Sequence, residues 1–153
     1  MTVTNGGTVS AGTSVLVYGS GTLTGKGTVN VNSGSGTATI EGTLTPSGGT
    51  LNIVGNLAFT SAATMECRVV PASADNVNVS GVASLAGKIS VTMTGTTFRA
   101  GTRYTLLHAD NGIDPNHPQF QFSSIKGGSG DCFTRLITYD THNVYLYLSP
   151  CSD

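Results

Sequence analysis

The chain contains no tryptophan, few charges and no long apolar run, and each shortage closes off a class of protein. Charged residues make up 10% of its 153 and the formal net charge is −1. No basic patch is present, so neither nucleic acid nor an anionic membrane surface is expected as a partner. Low charge is also a mark of membrane proteins. Here, however, the apolar residues are dispersed among Thr, Ser, Gly and Asn, the mean hydropathy is +0.09, and no run approaches the roughly 18 consecutive apolar residues of a membrane helix. Helical periodicity is missing from every window of useful length. Residues 1–11 lack the apolar core of a secretion signal, and Met1-Thr2-Val3-Thr4 is already strand-like, so Met1 reads as the start of an expressed fragment.

What is abundant is glycine, 21 residues, arranged in a recurring phrase. Gly-Thr-apolar returns at Gly21-Thr22-Leu23, Gly27-Thr28-Val29, Gly42-Thr43-Leu44 and Gly49-Thr50-Leu51. Gly12-Thr13, Gly27-Thr28 and Gly42-Thr43 are evenly spaced, and the same interval separates Gly21-Thr22 from Gly36-Thr37. A fixed short period implies stacked copies of one small unit. Alternating runs follow the glycines, such as Thr28-Val29-Asn30-Val31 and Thr50-Leu51-Asn52-Ile53, and alternation is the pattern of a half-buried strand. Strand, glycine corner, strand predicts an all-β chain wound as a right-handed parallel β-helix, a β-solenoid in which each coil pairs with its neighbours. The glycine interval is short for a three-sided coil, so the early units need not all be full turns. The expected inward residues are Val15, Val17, Leu23, Val29, Val31, Ile40, Leu44, Leu51, Ile53, Leu57 and Phe59.

Composition changes part-way along. Residues 1–63 carry only Lys26 and Glu41 as charges, and Tyr18 and Phe59 as aromatics; residues 64–153 hold six basic residues, seven acidic ones and eight of the ten aromatics. The first part reads as repetitive coils and the second as bulkier coils with a cap, in one continuous domain. A cap is required because the last coil of a stack exposes an open core and unpaired backbone groups. The expected cap runs through the strand Thr102–Leu107, with Tyr104 and Leu106, then Phe120, Phe122 and Ile125, and closes on a hairpin. Thr134–Tyr139 and Val144–Leu148 flank the polar turn Asp140-Thr141-His142-Asn143. Tyr104, Leu106, Phe120, Phe122, Leu136, Tyr139, Val144, Leu146 and Leu148 are expected to form the core of cap and hairpin, with Tyr145 and Tyr147 turned outward or against a neighbour.

From Pro46 onward the sequence resembles the C-terminal end of the passenger domain of bacterial autotransporters, the pertactin-like β-helix. The resemblance rests on Pro46 to Phe59 as a proline-glycine turn, strand and Gly-Asn corner, and on Glu66 to Pro71 with Asp75 to Gly87 as the next coil. It continues through Gly101 to Ala109 with Gly112-Ile113, and through Leu136, Tyr139-Asp140 and Asn143 to Leu148 as the closing hairpin. About two thirds of the chain matches well, and the order and spacing of the pieces are more specific than any one of them. The resemblance implies a secreted or surface-displayed stalk at the bacterial outer membrane. It also implies that this terminal region folds first and templates the remaining coils, with no cofactor and no catalysis of its own. Its partners would be upstream passenger coils and a translocation barrel, which these 153 residues do not contain. Asp114-Pro115-Asn116-His117-Pro118-Gln119 departs from the family's short glycine link, and its prolines make it an exposed loop.

Three cysteines, Cys67, Cys132 and Cys151, are also unusual for that family, and an odd number leaves at least one unpaired within the chain. Cys132 and Cys151 bracket the closing hairpin, where a disulfide would contribute about 3 kcal/mol. Cys67 lies in an alternating run and reads as a small buried hydrophobe. A zinc site from Cys132, Cys151, His108, His117 or His142 lacks the close ligand spacing such sites favour. Asp110-Asn111-Gly112-Ile113-Asp114 lacks the later acidic ligands of a calcium loop and reads as a turn. Glu66 and Asp75 are a conceivable glycosidase pair, but nothing in the sequence brings them together and no aromatic cluster in the stack offers a sugar platform. The serines and three histidines do not make a triad, and Gly6-Gly7 and Gly127-Gly128 are turns with no helix after them to bind phosphate. Two function classes remain. One is a structural stalk and folding nucleus. The other is an adhesin-type module whose exposed loops, 110–119 and 126–132, contact host protein or glycan.

Overall fold

A computed structural model describes residues 1–4, 6–117 and 119–151, except for the side chain of Phe122. It is a parallel β-helix of about four turns. The first coil holds β1 (Thr2–Val3), β2 (Thr8–Ala11) and β3 (Val15–Val17); the second holds β4 (Thr22–Val31) and β5 (Thr37–Ile40). The third holds β6 (Thr43–Val54) and β7 (Asn56–Phe59). The fourth holds β8 (Thr64–Val70), β9 (Ser73–Ala74), β10 (Asn76–Val79) and β11 (Ala83–Ser84). Beyond it come β12 (Lys88–Met93), β13 (Arg103–Ala109), β14 (Phe122–Gly127), β15 (Phe133–Tyr139) and β16 (Asn143–Pro150). No α-helix occurs among the described residues.

The coil has three sides. The first stacks β1, the start of β4, the start of β6, β8, β12 and β14. The second stacks β2, the end of β4, the end of β6, β10 and β13. The third stacks β3, β5, β7 and β11. Strands β4 and β6 run round one corner without a break, and the register between them shifts from Gly25 to Gly27. Gly25 sits there at φ 123°, where a Cβ would collide with the Val3 carbonyl of the coil below; only glycine accepts both the angle and the approach.

The repeat of the coil is longer than the interval between the glycine phrases. Thr22-Leu23 stacks on Thr43-Leu44 and Val29 on Ile53, each partner lying well beyond the next return of the phrase. Later coils lengthen: Val77 pairs with Leu107 and Ile89 with Ser123. The glycine interval is a coil less one side. Gly12 precedes the third side, Gly27 opens the second and Gly42 opens the first, so each step returns the same Gly-Thr pair one side earlier.

One apolar core runs from Val3 to Leu148. It is built of in-register columns, such as Leu23–Leu44–Met65–Ile89 and Leu51–Val77–Leu107. Of the inward residues expected from alternation, Val15 is partly buried and the other ten are buried. The column crosses the change in composition at residue 63 without interruption, because β6 pairs with both β8 and β10.

The last coils close differently. β16 returns antiparallel to β13, and β15 pairs antiparallel with β16. Tyr104, Leu106, Phe120, Val144, Leu146 and Leu148 are buried, and Tyr139 is half-buried against the core. Leu136 is a correction: it faces solvent with 41% exposure. The register explains why. Ile137 pairs with Leu146, and Phe133, Ile137 and Tyr139 form the row that packs on the core, so Leu136 shares the outward row with Thr134 and Thr138. Two adjacent residues of a regular strand cannot both face inward, and the sequence offers Leu136-Ile137 without saying which. The Phe122 side chain lies outside the described residues.

Candidate functional site

The polar groups that converge in this molecule lie at the end of the hairpin. The chain turns from β15 to β16 through Asp140 to Asn143, and Asp140 organises the turn. Its carboxylate accepts from the His142 backbone N–H at 2.8 Å, from Asn143 Nδ2 at 2.9 and 3.2 Å and from the Tyr145 hydroxyl at 2.7 Å. The His142 N–H first, then the Tyr145 hydroxyl, and after an opposing desolvation effect the Asn143 groups, set the balance that lowers its pKa from 3.8 to about 2. The same bond raises the Tyr145 hydroxyl above its ordinary value.

From Asp140 the network crosses to β13. With Asn143 Nδ2 committed to Asp140, its Oδ1 faces His108 Nδ1 at 2.7 Å, and His108 Nε2 lies 3.0 Å from Asp110 Oδ1. The strands place these residues together because His108 and Asn143 are direct partners in the β13–β16 ladder. On the same outer row, through parallel pairing, stand Thr28, Asn52 and Asn78. His142 lies parallel to His108 with ring centres 6.4 Å apart, and Arg103 sits 4.2 Å over the Tyr145 ring.

Beside this network is an open cleft of about 680 Å³ between segment 111–119 and the turn 139–142. Backbone bonds tie its two walls together: Ile113 N–H donates to the Thr141 carbonyl at 2.8 Å, and nearby Ala109 N–H donates to the His142 carbonyl at 2.8 Å. Asp114 accepts from Asn116 N–H at 2.9 Å and lies 3.6 Å from His117. Pro118 is outside the described residues. The second loop singled out from sequence, 126–132, is not free. Arg135 Nη2 donates to the Gly127 and Gly128 carbonyls at 2.8 Å each, and the Ser129 and Asp131 N–H groups donate to the Gly95 and Phe98 carbonyls.

Cys132 and Cys151 form a disulfide with Cα atoms 5.5 Å apart, across the open end of the hairpin. Cys67 is a free thiol inside the core; burial first, then the Asp75 and Glu66 charges, push its pKa far up, the opposite of an activated nucleophile. With two cysteines oxidised and one buried, the zinc candidates reduce to the histidines. Among the described residues no group of three or more His, Cys, Asp or Glu side chains is placed to hold a metal. Glu66 projects outward from β8 while Asp75 sits between β9 and β10, and no hydrogen bond joins them among the described residues. The His108–Asn143–Asp140–Tyr145 network was not anticipated from sequence. Its only local signal is the polar turn, because His108, which completes it, comes from a distant strand.

No protein-family model matches the chain, and no curated protein matches it. Among the described residues no helix is long and apolar enough to cross a membrane.

Proposed function

We propose that this chain is the stalk and folding nucleus of a surface-displayed autotransporter passenger, without chemistry of its own. The observation that carries the reading is the difference between the two ends of the solenoid. At the C-terminal end the core is sealed by an antiparallel hairpin, a disulfide and a cluster of edge-to-face rings. Phe98 packs on Tyr104 at 6.2 Å and on Phe133 at 6.4 Å, and Phe59 on Phe120 at 5.2 Å. At the other end, among the described residues, β1, β2 and β3 pair on one side only. There a groove of about 540 Å³ runs from Met1 to Thr22, with Tyr18 67% exposed.

Stacked coils propagate from a formed one, so folding that starts at the sealed end would lay further coils on the open end. The slow step is the first coil, where loop closure precedes any ladder contact. The bulky C-terminal residues offset that cost better than the Thr- and Gly-rich coils do. Hydrogen exchange on the intact, oxidised chain tests the order. Amides of 88–148 should outlast those of 1–31, and slower exchange in 1–31 would remove the nucleus from the C-terminal end. Location is tested separately, by whether the chain is found on the surface of the bacterium that makes it.

The cleft between 111–119 and 139–142 favours a second, compatible reading, an adhesive site for host protein or glycan. His142→Ala should then weaken binding of the chain to host cells without lowering its stability. Equal binding by the variant removes the cleft from that role.

A further inference from the structure

We propose that β15 is a docking edge for a second copy of this chain, paired antiparallel with its own equivalent across Leu136. Strand β15 ends the order of the main sheet, and β16 is its one strand partner among the described residues. The Asp140 N–H bond to Asn143 and the Cys151 N–H bond to Cys132 fix which residues face β16. They are the even-numbered ones. The N–H and C=O groups of Phe133, Arg135, Ile137 and Tyr139 therefore point to the free side.

Natural edges are usually blunted by proline, lysine or an inward charge; β15 has neither of the first two, and its inward-row charge does not reach the free side. Its one charge, Arg135, is turned onto the Gly127 and Gly128 carbonyls. The other edge of the sheet at this end, β14, has its last carbonyl, that of Gly127, occupied by the same contact.

The sequence of β15 selects the partner. Phe133-Thr134-Arg135-Leu136-Ile137-Thr138-Tyr139 is nearly symmetric about its centre. A two-fold axis at Leu136 sets Thr134 against Thr138, Phe133 against Tyr139, and Arg135 against Ile137. An isologous contact requires that self-complementarity, and no like charges meet. The parity also agrees. The pairs 133/139 and 135/137 are those whose backbone groups point outward, so they exchange hydrogen bonds. Leu136 then faces its mate in the closer, non-bonded position. Its 41% exposure is covered, and the outer row Arg103–Tyr147–Leu136 continues into the second copy. A single strand pair buries little area, so the dimer is a weak one.

The test is sedimentation of the intact, oxidised chain at concentrations up to about 1 mM, the weak end of specific association. The expected mass rises from one chain to two. Leu136→Lys, which places two like charges opposite each other, should hold it at one chain with unchanged thermal unfolding. Leu136→Cys gives a readout that does not depend on that variant folding. It should cross-link to itself on mild oxidation, and Thr105→Cys, two strands away, should not. A chain that stays monomeric throughout overturns the proposal, as does a dimer that survives Leu136→Lys, or a Leu136→Cys variant that cross-links no faster than Thr105→Cys. A monomer that instead binds an added extended peptide along β15 also overturns it, in favour of a foreign strand.

Discussion

The hydroxyl of Tyr104 donates to the carbonyl of Pro71 at 2.8 Å, joining the last parallel strand of the second side to the excursion that follows β8. The ring is buried against Phe98, so one side chain ties two coils together through both a hydrogen bond and packing. Burial raises the hydroxyl above its ordinary pKa, which keeps it a donor well into alkali. Tyr104→Phe keeps the ring and removes the bond; it should cost about 0.5–1.5 kcal/mol. Tyr104→Ala should cost about 3–5 kcal/mol, because the ring is lost as well. Denaturant midpoints of the two variants separate the terms, and equal losses would show that the hydroxyl carries the whole effect.

The disulfide gives a second test. Cys132 and Cys151 are 19 residues apart, and closing a loop of that length removes about 3 kcal/mol of unfolded-chain entropy. Reduction, or Cys132→Ser with Cys151→Ser, should lower the unfolding midpoint accordingly. Cys67 should stay unlabelled by a thiol reagent at pH 8 in either state of the bridge, until the chain unfolds. Labelling in the native state would mean that the core around β8 opens locally.

The parts of this fold legible in the sequence are those set by local alternation. Leu23, Val29, Val31 and Leu51 declare an inward face because each is flanked by polar residues. Leu136 does not, because Ile137 stands beside it and the choice between them is made by pairing with Leu146 across the hairpin. The coil length was hidden for a related reason. Glycines mark corners, a coil has three of them, and a spacing between glycines does not say which corner each occupies. The polar network at His108 was hidden because its members come from two strands whose register only the folded sheet fixes.

Gly42 tests the stacking directly. A Cβ there would strike the carbonyls of Gly21 and Tyr18 in the coil below, and those carbonyls belong to backbone that cannot rotate away. Thr43 N–H already bonds the Gly21 carbonyl at 2.9 Å. Gly42→Ala should therefore destabilise by about 1–3 kcal/mol, as overpacking does. Gly12→Ala, where a Cβ meets nothing within 4 Å, should be close to neutral. The pair shares one sequence phrase, so a difference in thermal midpoint reports the corner and not the residue type. Equal midpoints would place the Gly42 corner further from Gly21 than the structure has it.

The acid limb of stability should depend on Asp140. Its carboxyl is held at about 2 in the folded chain, against 3.8 ordinarily, first by the His142 N–H and then by the Tyr145 hydroxyl and Asn143. A lowered folded-state value means that the unfolded chain binds the proton more tightly. The contribution is then complete above pH 4 and is lost as pH falls through 2. Because the group is exposed, the effect is modest and screened by salt. Asp140→Asn should flatten the fall in unfolding midpoint between pH 4 and pH 2. Tyr145→Phe, which removes one of the three donors, should flatten it in part. If the wild-type slope persists in Asp140→Asn, the acid sensitivity resides in other carboxylates and the hairpin turn is not its source.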